Sequence, residues 1–235
     1  MSGNRFLDLA QGALAGRGFE LRRHHAARRQ RIFAARGVDL VLDVGAARGG
    51  YGTQLRRFGY TGRIVSFEPL ADAYADLSRA IEADPAWQAH RTALGAEAGT
   101  ATINVASNSD SSSLLPMLDA HRAAAPQVGY VGTQTVTISR LDDLAQEALG
   151  AATTPYLKID TQGFERGVLA GAPETLRQVV GLQLELSFVP LYDGGMTVDE
   201  AVAWAYGEGF HLVGIEQGYT APSGEILQVD GVFWR

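Results

Sequence analysis

From residue 39 onward, short apolar runs alternate with stretches of helical periodicity, and this alternation limits the folds open to the chain. The run 39–44 ends at Gly45 and is typical of a strand buried on both faces. Strands separated by helices connect through right-handed crossovers, so the pattern predicts an α/β fold with a mostly parallel sheet between two helical layers. The predicted strands cover 39–44, 63–67, 87–92, 100–105, 134–138, 154–159, 179–188, 210–216 and 226–234, and the predicted helices 50–58, 70–83, 139–149, 164–178 and 198–208, with a short helix from Pro116.

Both ends of the chain depart from this alternation. The last two strands are joined by a short polar loop, which predicts a C-terminal antiparallel hairpin. Residues 5–36, rich in Ala, Arg and Leu, predict one or two helices that Gly37 ends. We therefore expect an Arg-rich helical appendage over 1–37, serving as a lid or dimer element, and one larger domain over 38–235.

A further expectation concerns helix capping inside the larger domain. Ser139 precedes the helical stretch that ends near residue 149, and Asp142 follows three residues later. A serine hydroxyl at that place accepts from free backbone N–H groups of the first helical turn. The spacing predicts Ser139 as the N-cap and Asp142 at the third helical position.

Composition excludes several classes of protein. Of 235 residues, 46% are apolar and 20% charged, which is typical of a globular chain. There is no cysteine, so disulfides, thiolate metal sites and a cysteine nucleophile are excluded. No apolar run is long enough to span a membrane, and the first residues lack a secretory pattern. We expect a cytoplasmic protein.

Charge is unevenly distributed along the chain. Residues 1–36 hold eight arginines and two acidic residues, whereas the remainder holds 12 basic and 24 acidic residues. The acidic body argues against a nucleic-acid partner, since phosphate affinity comes mainly from Lys and Arg. The basic segment leaves open a non-catalytic binding module that holds an anionic partner. Of the 20 basic residues, Lys158 alone is a lysine.

A glycine-rich turn follows the first predicted strand. Gly45, Ala46, Ala47 and Gly49 are small enough for close backbone approach to a ligand, and the next helix offers free N–H groups. Glu68 ends the second strand, where a carboxylate can accept hydrogen bonds from ribose hydroxyls. Together these features favour nucleotide binding over a merely structural turn.

The turn alone does not decide which nucleotide binds. Gly45-x-Ala47-x-x-Gly50 loosely matches a dinucleotide fingerprint, so an NAD(P)-dependent oxidoreductase stays open. Two features favour S-adenosylmethionine. Asp43 lies at the strand end, where it can meet an ammonium group, and the chain has no second nucleotide-binding half.

Charged residues also follow a later strand. Lys158 and Asp160 leave the same face of the strand 154–159, and Glu185 lies at a similar height on the next strand. Ligands in open α/β sheets bind beyond these strand ends. We expect Asp160 and Glu185 to converge over one pocket. The alternative is a structural Lys158–Glu185 ion pair.

Taken together, these motifs resemble the FkbM-type methyltransferase family over about residues 39–215. The resemblance implies a class I methyltransferase, Rossmann-like fold with a seven-stranded sheet, and S-adenosylmethionine-dependent O-methylation of a sugar or secondary metabolite. The family commonly has Asn at position 47 and Val-Glu where this chain has Thr161-Gln162. The motifs are Leu42-Asp43-Val44-Gly45-Ala46 with Gly49, Phe67-Glu68-Pro69, and Leu157-Lys158-Ile159-Asp160-x-x-Gly163-x-Glu165 followed by Val168-Leu169-x-Gly171-Ala172.

The same resemblance implies roles for individual residues. Asp43, Gly45, Ala46 and Gly49, beside Ala47, would line the methionine portion of the cofactor. Glu68, followed by Pro69, would bind the ribose, and Ala93 and Leu94 would flank the adenine. Lys158, Asp160, Gly163 and Glu165 would form the acceptor side.

An alcohol is a weak nucleophile and needs its proton removed as it attacks. Asp160 is the first candidate base, with Glu185 or Glu165 next, and Lys158 would hold the carboxylate charge. Mg²⁺ bound by these three carboxylates is an alternative way to acidify the hydroxyl.

The acceptor side is less defined. Ser111 and Ser112 lie in a polar insertion that suits a lid, and Gln162 and Tyr192 are candidates for binding the acceptor. We expect a small-molecule hydroxyl acceptor, such as a sugar, glycolipid or secondary metabolite, no nucleic acid and no membrane span. A homodimer is compatible with the N-terminal helices.

Overall fold

The protein folds around a seven-stranded sheet, described here from a computed structural model that covers residues 11–20, 22 and 24–235. The strands are β1 (Leu40–Val44), β2 (Arg63–Phe67), β3 (Trp87–His90), β4 (Ala93–Leu94), β5 (Gly99–Ala106), β6 (Tyr130–Ser139), β7 (Pro155–Ile159), β8 (Gly181–Ser187), β9 (His211–Gln217) and β10 (Gln228–Trp234). The helices are α1 (His25–Arg36), α2 (Gly50–Arg57), α3 (Ala71–Ile81), α4 (Asp119–Ala124), α5 (Leu141–Leu149), α6 (Glu165–Ala170), α7 (Pro173–Gln178) and α8 (Val198–Gly207), and residues 11–15 are helical as well.

The main sheet has the strand order β3-β2-β1-β7-β8-β10-β9. The contacts among β3, β2, β1, β7 and β8 are all parallel, whereas β10 runs antiparallel to both of its neighbours. The order reverses at β1, which places the crevice for a ligand beyond the carboxyl ends of β1 and β7. The predicted mostly parallel seven-stranded sheet and the C-terminal hairpin are confirmed.

The two faces of the sheet bury different side chains. Leu40, Leu42 and Val44 pack on one face with leucines of α5, α7 and the neighbouring strands. Val41 lies on the other face among aromatic residues that include Phe33 of α1 and Trp234 of β10. Burial on both faces explains why β1 is apolar almost throughout.

The predicted strands 100–105 and 134–138 belong to a separate small sheet. β5 and β6 form an antiparallel pair, and the short β4 runs parallel to β6. The third strand of the main sheet ends at His90 because the chain then crosses to this small sheet at Ala93. The small sheet lies beside the crevice, so it supplies side chains to its wall.

The helix predicted over 164–178 is two helices. The first, α6, ends at Ala170, and Gly171 follows at a place where a side chain would collide with the carbonyl oxygen of Gly95. Pro173 then occupies the start of α7, where its missing N–H costs nothing. The prediction of one continuous helix is therefore wrong.

The capping prediction for α5 is also wrong. Ser139 is the last residue of β6, and Arg140 is the N-cap of α5, with no side-chain cap. Asp142 instead caps α7, because its carboxylate accepts from the backbone N–H groups of Glu174 at 3.0 Å and Thr175 at 2.8 Å. Asp142 therefore caps α7, which is distant in the sequence, and not α5, the helix to which it belongs.

At the N-terminal side, α1 ends at Gly37, whose φ of 65° is left-handed, as predicted. Phe33 of α1 is buried against the sheet. The predicted helical residues 5–10, 21 and 23 lie outside the described residues. Among the described helices, none is long and apolar enough to cross a membrane.

Replacing Asp142 by Ala should lower the free energy of unfolding by about 1–2 kcal/mol, since two backbone N–H groups at the start of α7 lose their acceptor. The matched control is Asp143→Ala, because Asp143 is exposed and pairs only with Arg140 at the surface. We expect that control to change stability by about 0.5 kcal/mol or less. Urea unfolding of both variants measures the difference, and equal losses would contradict the capping role.

Candidate active site

A cavity of about 490 Å³ opens at the carboxyl ends of β1, β2 and β7. Its volume lies within the range usual for small-molecule sites. The glycine turn after β1, Glu68 after β2 and Asp160 after β7 all line it. The topology thus brings together the two groups of residues that the sequence analysis singled out separately.

The glycine turn approaches the end of β7 closely. Gly45 has a left-handed φ of 73°, and a Cβ atom there would collide with the carbonyl oxygen of Asp160. Ala46 and Ala47 also line the cavity. Gly49 serves packing instead: its φ is 82°, and a Cβ atom would lie 2.9 Å from Leu77 Cδ1.

Glu68 organises the turn and faces the cavity. One carboxylate oxygen accepts from the backbone N–H of Ala47 and the other from that of Leu70, both at 2.8 Å. Each oxygen keeps a second lone pair for a ligand hydroxyl. Burial raises the pKa of Glu68 to about 7, against the hydrogen bonds that favour its charged form. Pro69, Ala93 and Leu94 line the same end of the cavity.

Asp43 lies beneath the cavity rather than in its lining. Its side chain is fully buried, accepts from the Ser66 hydroxyl at 3.2 Å, and lies 3.2 Å from Lys158 Nζ. The structure therefore places Asp43 as the partner of a buried cation, in a position where direct contact with a ligand is blocked.

Lys158 joins the ends of β1 and β7. Its ammonium group lies 3.6 Å from Asp160 Oδ2 and donates to the Gly45 carbonyl oxygen at 3.0 Å. Burial opposes its charge, but the carboxylates of Asp43 and Asp160 prevail and raise the pKa of Lys158. Lys158 thus pairs with Asp43 and Asp160, and not with Glu185 as the alternative had it.

Glu165 stabilises the turn that follows β7. Its Oε1 accepts from the Thr161 N–H at 3.0 Å, the Thr161 hydroxyl at 3.1 Å and the Gly163 N–H at 3.1 Å. Glu165 is buried and does not line the cavity. Gly163 is left-handed at φ 97°, and a Cβ there would lie 2.7 Å from that of Tyr192.

Asp160 and Glu185 come together on either side of Gln162, but of the two only Asp160 lines the cavity that the sequence analysis expected them to share. Gln162 Nε2 donates to Asp160 Oδ1 at 2.9 Å and to the Glu185 carboxylate oxygens at 3.2 and 3.3 Å. The Asp160 side chain is 34% exposed and faces the cavity. Burial, followed by the nearby carboxylate of Asp160, raises the pKa of Glu185.

The predicted lid contributes only in part to the cavity lining. Ser112 lines the cavity, and its hydroxyl accepts from the Ala106 N–H at 3.0 Å. Ser111 and Tyr192 do not line it, and the Tyr192 hydroxyl donates toward Ser111 O and Gln162 Oε1. Tyr192 therefore acts on the site through Gln162.

The lining residues that the sequence analysis missed include Arg29, Tyr51, Gln183, Glu216 and Asp230. Glu216 and Asp230 are charged residues within apolar strands, which is the signal that identified Lys158. Asp230 faces Glu216 on β9 and Glu185 on β8, and burial raises the pKa of Asp230 to about 6. Applied to the terminal hairpin, the same signal would have found both residues.

Arg29 connects α1 to the cavity wall. It is 2% exposed, and its guanidinium contacts Glu216 Oε2 and Gln54 Oε1, each at 2.5 Å. The guanidinium also lies 4.4 Å from the centre of the Tyr51 ring, which in turn lies 5.4 Å from Lys158 Nζ. The helix predicted as an appendage is thus packed into the site.

Over the part of the chain that the structure describes, no group of three or more His, Asp and Glu side chains is arranged to hold a metal ion. The three carboxylates that the sequence analysis considered as Mg²⁺ ligands do not face one common point. Glu165 accepts hydrogen bonds from the turn after β7, and the Gln162 amide lies between Asp160 and Glu185.

The sequence profile described as Methyltransferase FkbM domain matches residues 43–212, which is most of the chain. The chain belongs to this family. The matched segment begins at Asp43 of β1 and ends at Leu212 of β9, so it includes the glycine turn, Glu68 and Asp160 but not Glu216 or Asp230. No curated protein matches the sequence.

Several solved structures are similar at low identity. Aeropyrum pernix fibrillarin, in complex with natively bound S-adenosyl-L-methionine, has a TM-score of 0.48 at 11% identity, over 88% of this chain and 75% of its own. A protein of the NADB-Rossmann superfamily from Streptococcus agalactiae has 0.49 at 12%, over 93% and 71%. Ribosomal protein L11 methylase from Lactobacillus delbrueckii subsp. bulgaricus has 0.47 at 9%, over 89% and 76%.

Replacing Lys158 by Met should lower the free energy of unfolding by about 3–5 kcal/mol, because Asp43 would be left buried without its counter-ion. The double variant Asp43→Leu with Lys158→Met removes both charges, so we expect it to be more stable than the single variant. Chemical denaturation of the two proteins measures the difference. A double variant no more stable than Lys158→Met would contradict this assignment.

The pH dependence of stability should reflect Glu68. A carboxyl whose pKa rises from 4.5 to about 7 on folding stabilises the protein at low pH, and this stabilisation is lost as pH rises through 7. Between pH 5 and 8, the unfolding free energy of Glu68→Gln should therefore rise relative to the wild type by about 2 kcal/mol. Urea unfolding at both pH values provides the test, and an unchanged difference would disprove it.

Proposed function

We propose that this protein transfers the methyl group of S-adenosylmethionine to a hydroxyl group of a small molecule, such as a sugar, glycolipid or secondary metabolite. The observation that carries the proposal is the shared cavity, which a glycine turn, Glu68 and Asp160 all line. Membership of a methyltransferase family supports the same chemistry.

The residues present fit the cofactor. The small residues of the glycine turn leave room for the methionine portion, the free lone pairs of Glu68 can accept from ribose hydroxyls, and the apolar side chains of Ala93 and Leu94 can flank the adenine. When bound, S-adenosylmethionine would supply a methyl group on a positively charged sulfur. The buried carboxylates around Asp160 favour that positive charge.

Asp160 is the proposed base. It is exposed to the cavity, whereas Glu165 is engaged by backbone N–H groups and Asp43 lies beneath the floor. Lys158 holds the Asp160 carboxylate at 3.6 Å and fixes its place beside the glycine turn. Asp160 can then accept the hydroxyl proton as the acceptor oxygen attacks. Gln162 holds Asp160 beside Glu185 by donating to both carboxylates.

A small, uncharged or cationic acceptor suits this cavity better than a nucleic acid. Asp160, Asp230 and Glu216 line it, and they face Lys158 and Arg29 as the buried cations. A phosphate group would meet this excess of carboxylates at close range and in a partly buried site. The acidic body of the chain adds to that repulsion.

Isothermal titration with S-adenosylhomocysteine and with NADH separates methyl transfer from nicotinamide chemistry. We expect binding of S-adenosylhomocysteine only. Methyl transfer is then measured with radiolabelled S-adenosylmethionine against a panel of mono- and disaccharides and polyhydroxylated metabolites. Binding of NADH alone, or transfer of label to RNA and not to any hydroxylated small molecule, would overturn the proposal.

Replacing Asp160 by Asn should lower turnover by about 10²–10⁴-fold, since general-base catalysis is worth that much. Affinity for S-adenosylhomocysteine should stay close to that of the wild type. The matched control is Asp119→Asn, because the Asp119 side chain is 99% exposed on α4 and outside the cavity. Turnover of Asp160→Asn at the level of this control would show that another group is the base.

A further inference from the structure

Asp230 lines the same cavity as Asp160 and Glu68. It belongs to β10, which lies two places from β7 in the main sheet, whereas β2 lies two places from β7 in the opposite direction. Asp160 follows β7 and Glu68 follows β2. The cavity therefore continues past the candidate base, away from the end that suits the cofactor.

Asp160 and Asp230 face the cavity with one strand between them. Glu185 of β8 lies opposite Asp230 in the antiparallel ladder, and Asp160 and Glu185 each follow the last pair of the β7–β8 ladder. The three side chains thus leave the same face of the sheet. Glu185 itself does not line the cavity, and the Gln162 amide donates to it.

The separation of Asp160 and Asp230 sets the size of a molecule that can contact both. Neighbouring strands lie about 4.8 Å apart, so positions with one strand between them are roughly 10 Å apart. A hydrogen bond to each carboxylate takes about 2.7 Å of that span. What is left is close to the separation of two substituents on opposite sides of one six-membered ring.

The next strand beyond Asp230 carries a buried ion pair. Arg29 of α1 pairs with Glu216 of β9, the edge strand, and their side chains are 2% and 3% exposed. Both residues line the cavity. A second ring in line with the first would have to displace this pair, so the wall limits the acceptor to one ring in this direction.

The Asp230 carboxylate is available to a ligand because the buried cations of the cavity have other partners. Lys158 Nζ lies 3.6 Å from Asp160 Oδ2. Arg29 pairs with Glu216. Asp230 therefore keeps lone pairs that can accept from a hydroxyl or an ammonium group, and its charge strengthens either hydrogen bond.

Asp230 also lies outside the segment that the family profile matches. That segment, residues 43–212, includes Asp160 and Glu68. Proteins that share a fold and a reaction can differ in the molecule they act on, because selection resides in individual site residues. The terminal hairpin is thus a suitable place for a contact that is particular to this chain.

We propose that Asp230 binds the acceptor and selects for one six-membered ring. The hydroxyl group to be methylated lies at Asp160, and a second donor on the opposite side of the ring, a hydroxyl or an ammonium group, lies at Asp230. The inference rests on the proposed function, in which Asp160 is the base. It narrows the acceptor from any hydroxylated small molecule to a ring with donors on both sides.

Acceptor analogues test the proposal on the wild-type protein. Transfer from radiolabelled S-adenosylmethionine is measured with free hexoses, their monodeoxy and amino analogues, the matching disaccharides and open-chain polyols. The best acceptor should be a single ring. Removing one hydroxyl across the ring from the methylated position should lower kcat/KM by about 10- to 100-fold, since a hydrogen bond to a charged group is lost.

The remaining outcomes of this panel are equally definite. An amino group at the sensitive position should sustain transfer, and whether the amino or the hydroxyl form reacts faster identifies the natural donor. A disaccharide or an open-chain polyol as the best acceptor would overturn the proposal. So would a ring that tolerates the loss of every hydroxyl other than the methylated one.

Variants of Asp230 assign the effect to this residue. Asp230→Ala should lower kcat/KM for the best acceptor by about 10- to 100-fold, mainly through KM, and should no longer distinguish that acceptor from its sensitive deoxy analogue. Its affinity for S-adenosylhomocysteine should match the wild type. Asp230→Asn, which keeps the shape, should lie between the two and decides the outcome if Asp230→Ala does not fold.

The matched control is Asp119→Ala, because Asp119 is 99% exposed and outside the cavity. It should keep the wild-type preference among the analogues. If the Asp230 variants keep that preference while Asp160→Asn loses turnover, the role of Asp230 is wrong and the proposed function stands. If S-adenosylhomocysteine binds but no hydroxylated small molecule is methylated, the proposed function fails and this inference fails with it.

Discussion

The Lys158 ammonium group holds the candidate site together. It lies between Asp43 of β1 and Asp160 at the end of β7, and it also donates to the carbonyl at the start of the glycine turn. A buried charge is unfavourable unless its partners are close and well placed. The turn and the candidate base are therefore held in one arrangement, and the geometry of the cavity depends on this buried cation.

The turn after β7 is also held in place by a buried charged side chain. Glu165 is buried, yet its carboxylate is satisfied by two backbone N–H groups and a hydroxyl of the segment that precedes it. The consequence is a rigid loop that carries Asp160 on one side and Gln162 on the other. Rigid support of this kind keeps a reacting group in place at little cost when the ligand arrives.

The sequence predicts the fold well because the signals that define it are local. Apolar strands, glycine turns and helical stretches place β1, β2, β7 and β8 correctly. The break between α6 and α7 has a local signal in Pro173, which cannot continue a helix, and it was overlooked. The cap from Asp142 was missed because it depends on Thr175, 33 positions away in the chain. Local spacing cannot report such contacts.

The site is predicted less completely, for the same reason. Strand parity brings Asp160 and Glu185 together, but parity alone does not show which acids reach the cavity. Asp43 and Glu165 are acidic residues in suitable places, and their carboxylates are engaged beneath the surface. The wall formed by Arg29 and Glu216 joins segments separated by 187 positions, so no local motif reveals it.

That wall has a consequence for how the protein is made. Arg29 is synthesised 187 positions before Glu216, its partner in the cavity wall, and Asp230 of the same wall follows later still. Until these strands are made, the Arg29 guanidinium lacks its carboxylate partner and the cavity lacks one side. A nascent chain can therefore assemble its glycine turn well before it can enclose a small molecule.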